Sequence, residues 1–317
     1  MKSILEQPFA HSHSNLQITE EPPIAKIKKP KIKAELRRQR AHLFAGRGLG
    51  SGADYEPFIQ VERSGFQSRG RSHVVFNEVT GRQHHLLSDL ELLVFLWIWS
   101  LRPVDCREQF PLSLYEYDPM YLFAKKMPRG STEIAKSLGL KHPQITKLEP
   151  RVMTTDFLVT FADGTSLAIH AKYLKEIMEG PERSHDLRKI ESKYWRERKV
   201  RYLVMKETPF TTPLATRMMW AIDGMKWVAQ SIDIQCILIL LQKSSARVPM
   251  GERLDDCAQT LGLKKETVVI GFKYAILVGL WNIHNPFQDY DLGLPWAGSK
   301  ARAKKTSSAK SFRLPTL

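Results

Sequence analysis

The chain has 317 residues, of which 43% are hydrophobic, so it can bury two ordinary cores and is not disordered as a whole. Lys and Arg number 48 against 33 Asp and Glu, a formal charge of +15. The three cysteines, Cys106, Cys236 and Cys257, have no paired spacing, which excludes a disulfide framework and a zinc site and suits a reducing cytoplasm. No basic-then-apolar signal pattern opens the chain, and runs such as "LLVFLWIW" fall short of the ~20 residues that span a bilayer.

The excess charge sits at the ends. Residues 26–40 hold eight basic residues and one acidic; residues 300–313 hold six basic and none acidic. The rest is nearly neutral. Residues 1–45 are expected to form a basic, largely disordered arm, and 291–317 a basic tail. Such segments bind polyanions by counterion release without reading sequence. The residues expected to contact DNA are Lys26, Lys28, Lys29, Lys31, Lys33, Arg37, Arg38 and Arg40. Neither segment carries an apolar helical stripe, so a membrane partner is not expected.

"AGRGLGSGADYEPF" follows the arm. No strand precedes it and no Gly-Lys-Ser/Thr follows it, so it reads as a linker rather than a phosphate loop. "SHVVFNEVTGRQHHLL" reads as a hairpin turning near Thr80-Gly81. His84 and His85 in it read as strand-end or surface residues, since no carboxylate stands at ligand spacing. "LSDLELLVFLWIWSL" is a helix from Ser88, with Glu91 three residues on completing a capping box. "VDCREQF" is a strand. "GSTEIAKSLGL" is a short helix capped by Ser131 and ended at Gly139.

"VMTTDFLVTFADGTSLAIHAKYL" reads as two strands around Asp163-Gly164. Alternation places Thr155, Phe157, Val159 and Phe161 on the buried face, with Asp156 on the other. On the return strand His170 and Lys172 share a face. A two-residue turn would put Asp156 and His170 on opposite faces. A three-residue loop with Gly164 left-handed would set them opposite each other, ~5 Å apart at their β-carbons. Burial favours the second register, because Phe157 and Val159 then share a face with Ile169 and Ala171. The competing reading of Asp156, His170 and Lys172 is an ordinary solvated sheet face.

"SHDLRKIESKYWRERK" is a helix with Leu187, Ile190 and Tyr194 on one side, and "VRYLVMKE" a buried strand. The order of helix, three strands, helix and strand predicts a mixed-sheet α/β core. From about residue 213 the chain reads as helices. "RLDDCAQTLGLKKETVVIGFKYAILVGLWNI" has a helix-turn-helix pattern turning at Gly262-Leu263, with "GLWNIHN" as a wing strand.

Five ordered stretches, "HHLLSDLELLVFL", "REQFPL", "LKHPQI", "MTTDFLV" and "ESKYWRERKVRYLV", together resemble TnsA, the endonuclease subunit of heteromeric cut-and-paste transposases. The resemblance covers residues 44 to 206. It implies a restriction-endonuclease-like α/β domain over 46–208 and an α-helical, winged-helix-like domain over 209–290. It also implies cleavage of the 5′, non-transferred strands at transposon ends, in a bacterial cytoplasm. The partners implied are a TnsB-type transposase, a TnsC-type AAA+ ATPase and double-stranded DNA.

The family's site maps onto Glu91, Asp156, His170 and Lys172, with His170 standing where relatives have Gln. By this resemblance Glu91, Asp156 and the backbone carbonyl of Ala171 hold Mg²⁺, for which Mn²⁺ can substitute. Lys172 orients water or neutralises phosphate charge. Mg²⁺ prefers oxygen ligands, so His170 is expected to hold a coordinated water or a phosphate oxygen. Two other readings stand beside this one. One is a winged-helix DNA-binding regulator with a non-catalytic α/β domain; the other is a stand-alone restriction-type nuclease.

Overall fold

The structure is a computed structural model. It describes residues 29–61, 71–116, 128–229, 232–283, 290–296 and 299–301. Lys29–Phe44 forms helix α1, where the sequence suggested a disordered arm. The glycine passage after it is no loose linker. Gly46, Gly48, Gly50 and Gly52 all have positive φ, and the passage ends in a single 3-10 turn at Gly52–Asp54. A Cβ on Gly48 would lie 2.1 Å from Pro111 Cγ, so this backbone packs directly on the body.

Strands β1 (His73–Asn77) and β2 (Arg82–Leu86) pair as the expected hairpin. His84 is fully buried rather than a surface residue. Its Nδ1 lies 2.8 Å from Glu108, and its Nε2 lies 2.8 Å from the Thr80 hydroxyl. Arg82 makes two bonds to the same Glu108 carboxylate, at 2.7 and 2.8 Å. His85 accepts the N–H of Val61 on Nδ1.

The central sheet is mixed. Strands β3 (Asp105–Pro111), β4 (Thr154–Thr160), β5 (Ser166–Ala171) and β6 (Arg201–Met205) lie in that order. The first two pairings are antiparallel and the last is parallel. Helix α2 (Asp89–Ser100) covers one face, where Phe95, Leu96 and Trp99 share a core with Phe157, Val159 and Ile169. Helices α3 (Ser131–Ser137) and α5 (Glu182–Glu197) cover the other. There Leu158 and Ala168 are fully buried with Ile190 and Trp195, so the solvated-face reading of this hairpin fails. Helix α3 begins one residue earlier than expected, with Gly130 rather than Ser131 as its N-cap.

The β4–β5 register takes the second of the two alternatives. Thr160 pairs with Ser166 and Phe157 with Ile169, which sets Asp156 opposite His170. The loop has three residues: Phe161 N–H donates to the Thr165 carbonyl at 2.9 Å, and Gly164 adopts φ +79°. The alternation breaks near Asp156. Thr155, expected beside Phe157, instead turns its hydroxyl to Glu191 and Trp195 of α5. Across from Asp156, Gln109 of β3 holds φ +47°.

Past β5, the short helix α4 (Leu174–Met178) leads toward α5. The C-terminal part is helical: α6 (Thr212–Trp220), a 3-10 segment (Ile222–Ala229), α7 (Ile234–Lys243), α8 (Met250–Leu261) and α9 (Lys265–Leu277). Gly262, at φ +63°, ends α8 where the turn was expected. Helix α9 is central to the packing rather than projecting: Val268, Phe272 and Ala275 are fully buried, and Gly271 packs against Trp227 and Ile237. Its Lys265 and Lys273 pair with Asp255 and Asp223. Helix α2 touches both α6 and α9, so one apolar core runs across the joint at residue 208.

Strand β7 (Trp281–Asn282) pairs with β8 (Lys300–Ala301), and Trp296 is fully buried. Trp296, Lys300 and Ala301 of the expected tail therefore belong to the folded body; 297–298 and 302–317 lie outside the described residues. Among the described residues no helix is long and apolar enough to cross a membrane.

Candidate active site

The N-terminus of α2 and the start of β4 bring two carboxylates together. Ser88 caps α2 by accepting the Glu91 N–H at 3.1 Å. The Glu91 carboxylate reaches back to accept the Leu87 N–H at 2.9 Å. The capping box of the sequence is present, with the return bond one residue earlier than the usual form. This holds the Glu91 side chain folded over the helix start, where it is buried.

Gln109 links Glu91 to Asp156. Its Nε2 lies 3.4 Å from Glu91 Oε2 and 3.4 Å from Asp156 Oδ1, while its Oε1 accepts the Thr154 hydroxyl at 3.2 Å. The left-handed φ of Gln109 is uncommon for a side chain of this size and aims the amide into this gap. Sequence reading passed over Gln109, since a Gln inside a strand carries no signal of its own.

Burial first, and then the neighbouring Asp156 charge, push the Glu91 carboxyl up to about 8. Asp156 accepts the Ala171 N–H on Oδ2 at 2.7 Å. Ala171 thus contacts Asp156 through its N–H. His170 Nδ1 lies 3.4 Å from Asp156 Oδ2 and 3.3 Å from Glu191 Oε2. Neither approach has hydrogen-bond geometry, so this buried nitrogen has no hydrogen bond.

Glu191 is the acidic residue that sequence reading missed. It is buried on α5, accepts the Thr155 hydroxyl at 2.7 Å, and its carboxyl is raised by burial, with His170 pulling it back. The only signal was its place beside Ile190 on the helix face marked by Leu187 and Tyr194. A carboxylate there reads as the polar edge of that face. Lys172 lies just beyond β5, its N–H donating to the Met205 carbonyl at 2.9 Å. Its ammonium pairs with Glu176 of α4 rather than with Glu91 or Asp156.

A buried carboxylate, Glu91, raised by burial and by the charge of the half-buried Asp156, makes with it a donor set that fits a hard divalent cation. Among the described residues no three His, Cys, Asp or Glu gather at metal-ligating range. Any cation here would therefore complete its shell with backbone oxygen, water or substrate.

Of the expected DNA contacts, Lys31, Lys33, Arg37, Arg38 and Arg40 are exposed on α1. Lys26 and Lys28, and the Lys29 side chain, lie outside the described residues.

Residues 104–207 match the family model described as TnsA-like endonuclease N terminal. The chain is also 35% identical over 178 residues to the "Transposon Tn7 transposition protein TnsA" of Escherichia coli. That match covers 55% of this chain and 58% of the relative, so it spans little more than half of either protein. The mixed sheet flanked by helices fits a restriction-endonuclease-like fold. The resemblance read from the sequence is borne out, and residues 104–207 carry a TnsA-like endonuclease domain.

Proposed function

We propose that this protein is the endonuclease subunit of a transposase complex, hydrolysing the 5′ strands at transposon ends. The observation that carries the reading is the meeting of Glu91 and Asp156 at the Gln109 amide, with His170 across the hairpin. The partners in this reading are double-stranded DNA, a TnsB-type transposase for the 3′ strands and a TnsC-type AAA+ ATPase.

Glu91 and Asp156, with the Ala171 carbonyl, would hold Mg²⁺ or Mn²⁺; bound there, the ion supplies Lewis acidity and lowers the pKa of water. Asp156 is oriented for that role by the Ala171 N–H, and Glu91 by its cap. His170 holds a phosphate oxygen or the attacking water in place. Lys172 leaves Glu176 to neutralise charge building on the scissile phosphate. The α/β part, 46–208, does the cutting. The helical part, 209–290, is winged-helix-like and docks a partner protein, because α9, the second helix of its helix-turn-helix pattern, is largely apolar and two of its cations are already paired.

The test is Asp156→Ala in the reconstituted system. Loss of 5′-strand cutting with assembly intact is expected, leaving joined 3′ ends and cointegrates. Continued 5′ cutting by that variant overturns the site. Metal-dependent cutting by the isolated protein would instead favour the stand-alone nuclease.

A further inference from the structure

Helix α1 is fastened to the body around Gln39. Gln39 is buried; its Nε2 donates to the Pro150 carbonyl at 2.9 Å and its Oε1 accepts the Val152 N–H at 2.8 Å. Ion pairs flank this clasp, Glu35 with Arg151 at 2.7 Å and Arg40 with Glu149 at 3.4 Å. The clasped segment runs straight into β4. Val152 is four residues before Asp156, ~13 Å of extended chain.

At ~100° per residue, Ile32, Glu35 and Gln39 share the fastened side of α1. Lys31, Lys33, Arg37 and Arg38 occupy the opposite half, all exposed and without an ion-pair partner among the described residues. The helix has no acidic residue in its first turn to offset them. These are the helix's uncompensated charges, and the clasp holds them in one place.

We infer that α1 is a fixed grip on the DNA backbone, and that Gln39 is the positioning residue that ties the grip to the entry of the strand bearing Asp156. This rests on the endonuclease reading and adds what sets the place of the cut. From Lys31 to Arg38 the helix rises ~10 Å, and a B-DNA strand carries one phosphate per ~3.4 Å of axis, so the cationic face spans about three phosphates. An anionic membrane is the weaker fit. That face carries Ala34 and Ala41, and its one large apolar side chain is Phe44, at the last residue of the helix. Because the clasp grips backbone atoms on the way into β4, the duplex is held at a fixed offset from Asp156.

The experiment uses the full chain. A Lys33→Ala/Arg37→Ala/Arg38→Ala variant in an Asp156→Asn background is titrated with an end-flanking duplex over a range of salt. The slope of log affinity against log salt is expected to fall by about 2–3, at ~0.9 for each phosphate no longer neutralised. An unchanged slope overturns the grip. So does loss of binding to phosphatidylserine vesicles with the DNA slope intact, which would assign the face to lipid. With Asp156 intact and partner proteins present, Gln39→Ala is expected to keep the slope and to scatter cuts over neighbouring phosphodiesters. One unchanged cut position overturns the positioning role. The binding arms need no cutting, so continued cutting by Asp156→Asn would overturn the Asp156 site and leave the grip standing.

Discussion

Asp156 and His170 meet across the β4–β5 hairpin, Oδ2 to Nδ1 at 3.4 Å. A three-residue loop with Gly164 at φ +79° puts them there. One residue less in that loop would place them on opposite faces of the sheet.

Glu91 makes metal-free stability fall with rising pH. Its carboxyl is raised from 4.5 to about 8 by burial and by Asp156. Between those values the native state holds a proton that the unfolded state has released, so stability is full below about pH 4.5 and declines toward pH 8. Glu91→Gln should therefore melt higher than the parent in EDTA, by several degrees at pH 9 and by little at pH 5. Adding Mg²⁺ should raise the parent's Tm most at high pH and leave the variant's nearly unmoved. Thermal scans at the two pH values check both.

Glu108 acts with the opposite sign. Burial alone would raise its carboxyl, but the His84 ring and the Arg82 guanidinium overcome this and hold it at about 2. Its contribution is present above the ordinary carboxylate range and is lost as pH falls through about 2. Glu108→Ala leaves Arg82 buried and uncompensated, at a cost of about 3–5 kcal/mol. Urea unfolding at neutral pH measures it.

Burial raises the Glu191 carboxyl and the neighbouring His170 draws it back down, so His170→Leu should raise it further and destabilise the protein by about 1–3 kcal/mol. The variant's stability should fall more steeply between pH 5 and pH 8 than the parent's, because a raised carboxyl holds in the native state a proton that the unfolded state has released. Denaturant titrations at the two pH values read this out. If the ring ligates metal directly, the parent should also cut faster in Mn²⁺ than in Mg²⁺; equal rates would remove that role.

Gly48→Ala tests the glycine passage. Its φ is +88° and the new methyl would meet Pro111 at 2.1 Å. A cost of about 2 kcal/mol is expected, read as a lower denaturant midpoint. A flexible linker would show no change.

The sequence by itself carried the order of elements, the capped helix start at Glu91 and the strand pair, since each rests on local periodicity and turn chemistry. It also carried the resemblance on which the endonuclease reading depends. It did not carry the other half of the site. Glu191 and Gln109 stand in ordinary helix and strand patterns, and only the packing of α5 and β3 against β4 brings them to His170 and Asp156. His84 looked exposed because its partner, Glu108, lies on another element. Residues 29–44 looked disordered because their charge suppresses any helical stripe, and the bonds that fasten them run from Gln39 to Pro150 and Val152; residues 1–28 lie outside the described residues. What tertiary structure decided was which polar groups share a buried space. That depends on contacts between residues far apart in the chain, and no local pattern encodes it.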